Sequence, residues 1–189
     1  MKSVDLLLLE NVDNLGIVGD VGETARALLP LLRVGRDSGH LTSALDHYAK
    51  TRRELDELAT DDGKAPIYPE FLTRLVDEVA DPDAVFVPDV GSPVTWAARY
   101  LHIHAERHLV GSFSHGSMAN ALPHALGAQA VDRDRQVVAL AGDGGLAMLM
   151  GDLLSLRQND LPVKIVVYNN SSLNFVEVEM KAAGIVNWG

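Results

Sequence analysis

The sequence contains no cysteine, which excludes a disulfide framework, a thiolate nucleophile and a thiolate metal site together. That absence suits a cytoplasmic protein, the localisation expected from sequence. Positive charge is also scarce. There are 16 Lys and Arg against 26 Asp and Glu, a formal net charge of −10, and no basic run. Nucleic acid is bound through clustered cations that displace its counterions, so this balance excludes a nucleic-acid footprint and disfavours anionic membrane surfaces. No apolar run reaches the roughly 18 residues of a spanning helix. The stretch Leu6 to Leu9, closed by Glu10, is too short for a signal peptide. Repeats and low-complexity segments are missing as well. What is present is globular in composition, at 47% hydrophobic and 22% charged over 189 residues.

Residues 4–9 and 15–18 are apolar runs of strand length. Gly19-Asp20-Val21-Gly22-Glu23 then reads as a turn into a helix, with Asp20 as N-cap and Glu23 completing a capping box, rather than as a phosphate loop. Residues 34–66 are the most polar part and read as a helical linker. From residue 67 the pattern becomes regular. A helix is expected from about Pro69 to Ala80, a buried strand at residues 84–88, and a helix around Val94 to Leu101. A short strand at His108 to Val110 and a helix from Met118 to about Ala130 come next, then a strand at 136–141, a helix over Leu146 to Gln158 and a strand at 163–168. Strands of near-continuous apolar residues alternating with helices predict an α/β, doubly wound parallel sheet with helices on both faces.

In such a sheet ligands bind beyond the carboxyl ends of the strands. Those ends carry Asp89-Val90-Gly91-Ser92, Gly142-Asp143-Gly144-Gly145 and Asn169-Asn170-Ser171-Ser172. Between Gly144 and Asn169 lie 24 residues. A helix of about 13 residues climbs roughly 20 Å, and a strand of about 7 residues returns roughly 23 Å, so Asn170 comes back to the edge that holds Asp143. A carboxylate and a carboxamide converging beside a helix N-terminus suit Mg²⁺ completed by phosphate oxygens and water. The expectation is a metal-diphosphate clamp.

These residues resemble the thiamine-diphosphate motif shared by pyruvate decarboxylase, pyruvate oxidase and acetohydroxyacid synthase. The blocks Trp96 to Leu101, Gly111-Ser112-Phe113, His115 to Ala121, Leu126 to Gln129, Leu149 to Asp152, Leu161 to Val167 and Glu179 to Ala182 are similar to the pyruvate oxidase type, the quinone-dependent pyruvate dehydrogenases. The resemblance implies thiamine diphosphate and Mg²⁺ as cofactors. Asp143, the side-chain oxygen of Asn170 and the carbonyl of Ser172 would be the metal ligands. Gly142, Gly144 and Gly145 would contact the diphosphate, with Gly91 and Ser92 against it from the neighbouring strand. Gly116, Ser117 and Met118 would hold the aminopyrimidine, the Met118 side chain wedging beneath the bridge between the rings. Phe175 matches a residue near the substrate pocket and suits a core position equally well. The role of His115, inside the same block, stays open. His102, His104 and His108 read as solvated surface histidines, because no carboxylate completes a metal set.

The full-length relatives decarboxylate pyruvate and pass electrons through FAD to quinone, with a Glu from a separate domain of a partner chain activating the cofactor. That Glu has no counterpart here. Residues 1–33 match at best a remnant of the central, flavin-type domain, and Leu6-Leu7-Leu8-Leu9-Glu10 departs from its pattern, which argues against FAD binding. Residues 67–189 match the thiamine-diphosphate-binding domain, expected to be incomplete at the C-terminus. The expectations are therefore a homo-oligomer, or association with a chain supplying the pyrimidine-binding domain, and no turnover by the isolated chain. A non-catalytic or regulatory module pairing with a homologue, and an acetohydroxyacid synthase-like fragment, are the alternatives.

Overall fold

The computed structural model describes residues 17–32, 35, 38–61, 63 and 65–186. The expected strand at 4–9 and half of that at 15–18 lie outside them. The chain divides into two compact units, Met1–Tyr48 and Ala49–Gly189. In the first, α1 (Val21–Leu28) starts at Asp20, whose Oδ1 accepts the Glu23 N–H at 3.0 Å. Gly19 to Glu23 is thus a capped helix start, as its residue types require. The unit boundary falls within α2 (Gly39–Leu58).

The second unit holds α3 (Pro69–Val79), β1 (Val85–Pro88), α4 (Ser92–Tyr100), β2 (His108–Leu109) and α5 (Ala121–Val131). After these come β3 (Val137–Gly142), α6 (Asp143–Met148), α7 (Asp152–Gln158), β4 (Lys164–Tyr168) and α8 (Asn174–Ala182). The sheet is parallel in the order β2-β1-β3-β4. Because strand side chains alternate between faces, Phe86, Val138, Leu140 and Tyr168 meet Leu72 and Val76 of α3 and Ala97 of α4 on one side. Val85, Val87, Val137, Ala139 and Ala141 meet Ala121 and Ala125 of α5 and Leu146 of α6 on the other. This is the doubly wound α/β arrangement that the apolar runs predict.

Two helices differ from expectation. The helix expected from Met118 begins only at Ala121, since Ala119 takes a φ of 70° that no right-handed helix accommodates. The helix expected over Leu146 to Gln158 is two, α6 and α7. Between them the N–H groups of Asp152, Leu153 and Leu154 bond the carbonyls of Leu149, Met150 and Gly151, three residues back. Tightening the chain to a three-residue repeat ends the first helix and re-aims the second.

One buried cation ties the amino-terminal end of this sheet together. Arg107, with 6% of its side chain exposed, pairs with Asp77 Oδ1 at 2.8 Å and donates to the carbonyls of Asp77, Ala80, Asp81 and His102. Those carbonyls include the end of α3, where helical acceptors run out of internal partners. The same carboxylate accepts His102 Nδ1 at 2.7 Å. His102 is exposed, in keeping with its reading as a surface histidine, and in addition pairs with a carboxylate 25 residues away in sequence. Arg107→Leu leaves Asp77 without its buried cation, with only His102 still bonded to it, and strips several carbonyls of their donor; an expected loss of about 3–5 kcal/mol follows for breaking a buried pair from one side. Urea unfolding of the two proteins checks it; a loss below about 1 kcal/mol, the worth of an exposed pair, would contradict the burial argument.

Candidate functional site

The strand order fixes where a site belongs. The chain leaves β1 toward β2 on one side and returns through α5 to β3 on the other, so the switch point lies between β1 and β3. The crevice beyond their carboxyl ends is where open α/β sheets bind ligands. Gly91 and Ser92 follow β1 at the start of α4, and Gly142 to Gly145 follow β3 at the start of α6. Gly91 has φ 106°, a conformation closed to side chains, and a Cβ there would lie 3.9 Å from Phe175 Cδ2. Gly142 caps α6, and a Cβ on it would lie 3.9 Å from Pro93 Cγ. Asn174 Nδ2 donates to Ser92 Oγ at 3.4 Å, which brings the start of α8 to the start of α4.

Asp143 is half-buried at the first position of α6, and its Oδ2 accepts the backbone N–H of Ser171 at 3.1 Å. The segment Asn169–Ser172 thus returns to the edge holding Asp143, although by two short helices and a five-residue strand rather than by the single long helix expected. The loop is internally braced. Asn169 Oδ1 accepts the Ser171 N–H at 3.1 Å and Asn170 Oδ1 accepts the Ser172 N–H at 3.1 Å. The Ser172 hydroxyl donates to Glu177 at 2.8 Å, and Lys181 Nζ donates to the other oxygen of Glu177 at 2.7 Å. The Lys181 bond first, and then that of Ser172, hold the Glu177 carboxyl below its ordinary pKa. On the β4 side, Tyr168 OH and Thr73 Oγ share a buried hydrogen bond of 2.7 Å that fixes the residue preceding the loop.

Met118 reaches the same crevice from a different segment. A Cβ on Gly144 would stand 3.1 Å from Met118 Cε and 3.4 Å from Leu173 Cδ2, so absence of a side chain is what leaves room there. Gly116 and Ser117 lie in the exposed loop before Met118, where the Ser117 N–H bonds Ser112 Oγ at 3.1 Å. His115 is exposed in that loop. Phe175 is exposed on α8, beside Gly91 and not in the core.

A buried hub lies beneath these residues that sequence reasoning did not assign. Asp89 is 1% exposed and Asn120 4%. Asp89 Oδ1 accepts the Val90 N–H at 2.9 Å and both the N–H and the carboxamide of Asn120 at 3.1 Å. Burial pushes the Asp89 carboxyl pKa up, while those donors and the Ala119 N–H pull against it. Asn120 in turn bonds the Ser112 N–H and the Ser117 carbonyl. Between Met118 and Asn120, buried Ala119 sits in the left-handed region, which costs a non-glycine residue on the order of 1–3 kcal/mol and persists only where neighbours enforce it. The available signal was an acidic residue directly after a wholly buried strand, where a solvated loop is the usual reading.

Thiamine diphosphate and Mg²⁺ can be tested against the residues present. Among the described residues no cluster of three His, Asp or Glu can hold a metal. A cation beside Asp143 would rely on one carboxylate and neutral oxygens, leaving positions for phosphate and water, as Mg²⁺ prefers. Gly142 and Gly144, half-buried and without side chains, leave the backbone approachable, whereas Gly145 is buried against Asp89. The donor set and the cradle fit the group.

Fold and crevice define a class: a doubly wound α/β domain with a glycine-rich, oxygen-lined site at its switch point. Residues 89–187 match the family described as thiamine pyrophosphate enzyme, C-terminal TPP binding domain, and the chain belongs to it. It is 29% identical to the putative thiamine pyrophosphate-containing protein YdaP of Bacillus subtilis over 173 residues, 92% of this chain and 30% of that protein. Acetolactate synthase of Mycobacterium bovis is 33% identical over 165 residues, 85% of this chain and 26% of that enzyme. The acetolactate synthase large subunit of Parasynechococcus marenigrum is 32% identical over 157 residues, 83% of this chain and 25% of that subunit. The chain thus spans about a quarter to a third of the length of these curated relatives. The family is that expected from sequence, whereas acetolactate synthases, a type placed third in the sequence reading behind the pyruvate oxidase type and a non-catalytic module, are prominent among the relatives. No helix among the described residues is long and apolar enough to cross a membrane.

Proposed function

We propose that this chain binds thiamine diphosphate through Mg²⁺ and forms the cofactor-holding part of an enzyme acting on 2-oxo acids. The observation that carries the reading is the approach of Asn169–Ser172 to Asp143, at 3.1 Å between Ser171 N and Asp143 Oδ2, inside the matched family region. Asp143, Asn170 and the Ser172 carbonyl would hold the metal. Gly91, Ser92, Gly142, Gly144 and Gly145 would face the diphosphate, and Gly116, Ser117 and Met118 the pyrimidine. When bound, the cofactor supplies an electron sink for cleaving or forming a bond beside a carbonyl. The residues named here would bind and orient it, and a partner chain would complete the site with the pyrimidine-binding domain.

Acetolactate synthase is the better-supported type, on the similarity to two such enzymes over more than four-fifths of the chain. The pyruvate oxidase type stands second, on the block His115 to Ala121. Calorimetry tests the shared part: thiamine diphosphate is expected to bind with Mg²⁺ and to lose at least about tenfold in affinity when EDTA removes the metal. Equal affinity with and without Mg²⁺ would sink the clamp. The assembled enzyme then separates the types, since acetolactate forms from pyruvate without an electron acceptor whereas an oxidase requires one.

A further inference from the structure

We propose that Asp89 is a positioning residue: its buried carboxylate fastens the segment Ser117–Asn120 to the end of β1 and so sets Met118 against Gly144. The function of that setting rests on the cofactor reading above; the fastening itself does not.

Three observations converge on Asp89. Its Oδ1 gathers three N–H donors, two of them from Asn120 and one from Val90, so a single oxygen joins the strand end to the distant segment. Ala119, one residue before Asn120, is buried in a left-handed conformation that alanine does not adopt unaided. Two positions before Asn120, the Met118 methyl lies 3.1 Å from where a Gly144 Cβ would stand. The other carboxylate oxygen, Oδ2, occupies the space where a Gly145 side chain would begin, 1.9 Å from an ideal Cβ. Asp89 therefore abuts α6 on one side and holds the Met118 segment on the other. Both halves of the crevice are registered to one carboxylate. Loss of it should leave the segment Asn169–Ser172 and its bond to Asp143 intact, because none of those contacts involves Asp89.

The separation is testable with two ligands and one ligand-free measurement. In the free protein, Asp89→Ala is expected to raise amide hydrogen exchange over residues 117–120 by about tenfold or more while β3 stays protected. Mg²⁺-thiamine diphosphate should then bind about tenfold more weakly, with Mg²⁺-pyrophosphate changed by less than about twofold. Asp89→Asn, which keeps an acceptor for the two backbone N–H groups, should restore much of both. Unchanged exchange over 117–120 would overturn the fastening whether or not the protein binds cofactor. An equal loss for both ligands would overturn the positioning role and leave a general packing effect. Where Asp89→Ala does not fold, Asn120→Ala removes the side-chain bridge to Asp89 together with the bonds to Ser112 and Ser117, keeps the backbone N–H bond to Asp89, and must show the same selectivity between the two ligands for the proposal to stand. Failure of the parent protein to bind either ligand would refute the cofactor reading, and exchange would still decide Asp89.

Discussion

Asp143→Ala is expected to weaken Mg²⁺-dependent binding of thiamine diphosphate by at least about a hundredfold, about 2.8 kcal/mol, while leaving the fold in place. The size follows from charge. The chain carries a net −10, and two like charges 4 Å apart repel by about 4 kcal/mol at an effective dielectric of 20. A diphosphate can approach this edge only through a bridging cation, and Asp143 is the carboxylate available to that cation from the strand ends. Asn170 and a backbone carbonyl are neutral and do not replace its charge. Stability should respond little, because the side chain is half-buried and loses one hydrogen bond, from Ser171, worth about 1 kcal/mol. Asp143→Asn keeps the shape and that bond without the charge, so it should fold like the parent and bind between the two. Calorimetry with Mg²⁺ and a thermal melt on each variant separate the effects. Binding of Asp143→Ala at parental affinity would remove Asp143 from the clamp, whatever the family membership.

Much of the architecture was legible because buried parallel strands leave a blunt signature. Val85 to Pro88, Val137 to Ala141 and Ile165 to Tyr168 are apolar in continuous runs, and the strand-end rule then pointed to Gly142–Gly145 and Asn169–Ser172. Less legible were features set by long-range contacts. The apolar stretch Leu146 to Leu154 hides its own interruption, since Leu149 and Met150 are good helix formers and only Gly151 hints at a break. Arithmetic on one long helix still brought Asn170 near Asp143, because what matters is that the strands are parallel and neighbouring, which fixes both carboxyl ends on one edge. Ala119 gives no local sign of its positive φ, the hub around Asn120 being what enforces it. The pairing of His102 with Asp77 and the turning inward of Asp89 both require partners 25 or more residues away. Single-sequence patterns do not carry that information.

Gly145→Ala is the second large effect, and its direction runs against the usual rule. Replacing a helical glycine of ordinary φ by alanine generally stabilises by about 0.4–1 kcal/mol, through the unfolded chain. Here the added methyl would stand 1.9 Å from Asp89 Oδ2 and 2.9 Å from its Cγ, closer than atoms approach. Asp89 cannot swing aside freely, because its other oxygen is held by Val90 and Asn120 in a buried site. Either those bonds break or α6 withdraws from β1, and overpacking together with lost charged hydrogen bonds gives an expected net cost of about 2–4 kcal/mol. Gly151→Ala is the control: a Cβ there meets nothing within 4 Å, so stability should hold or rise. Denaturant unfolding of both, with Asp89→Ala and the double variant Asp89→Ala/Gly145→Ala, completes a cycle. If the clash is with Asp89, the double variant should be no less stable than Asp89→Ala alone, because the obstacle is gone. Full additivity in that cycle would place the clash elsewhere, and parental stability of Gly145→Ala would mean that the two halves of the crevice are not locked through this carboxylate.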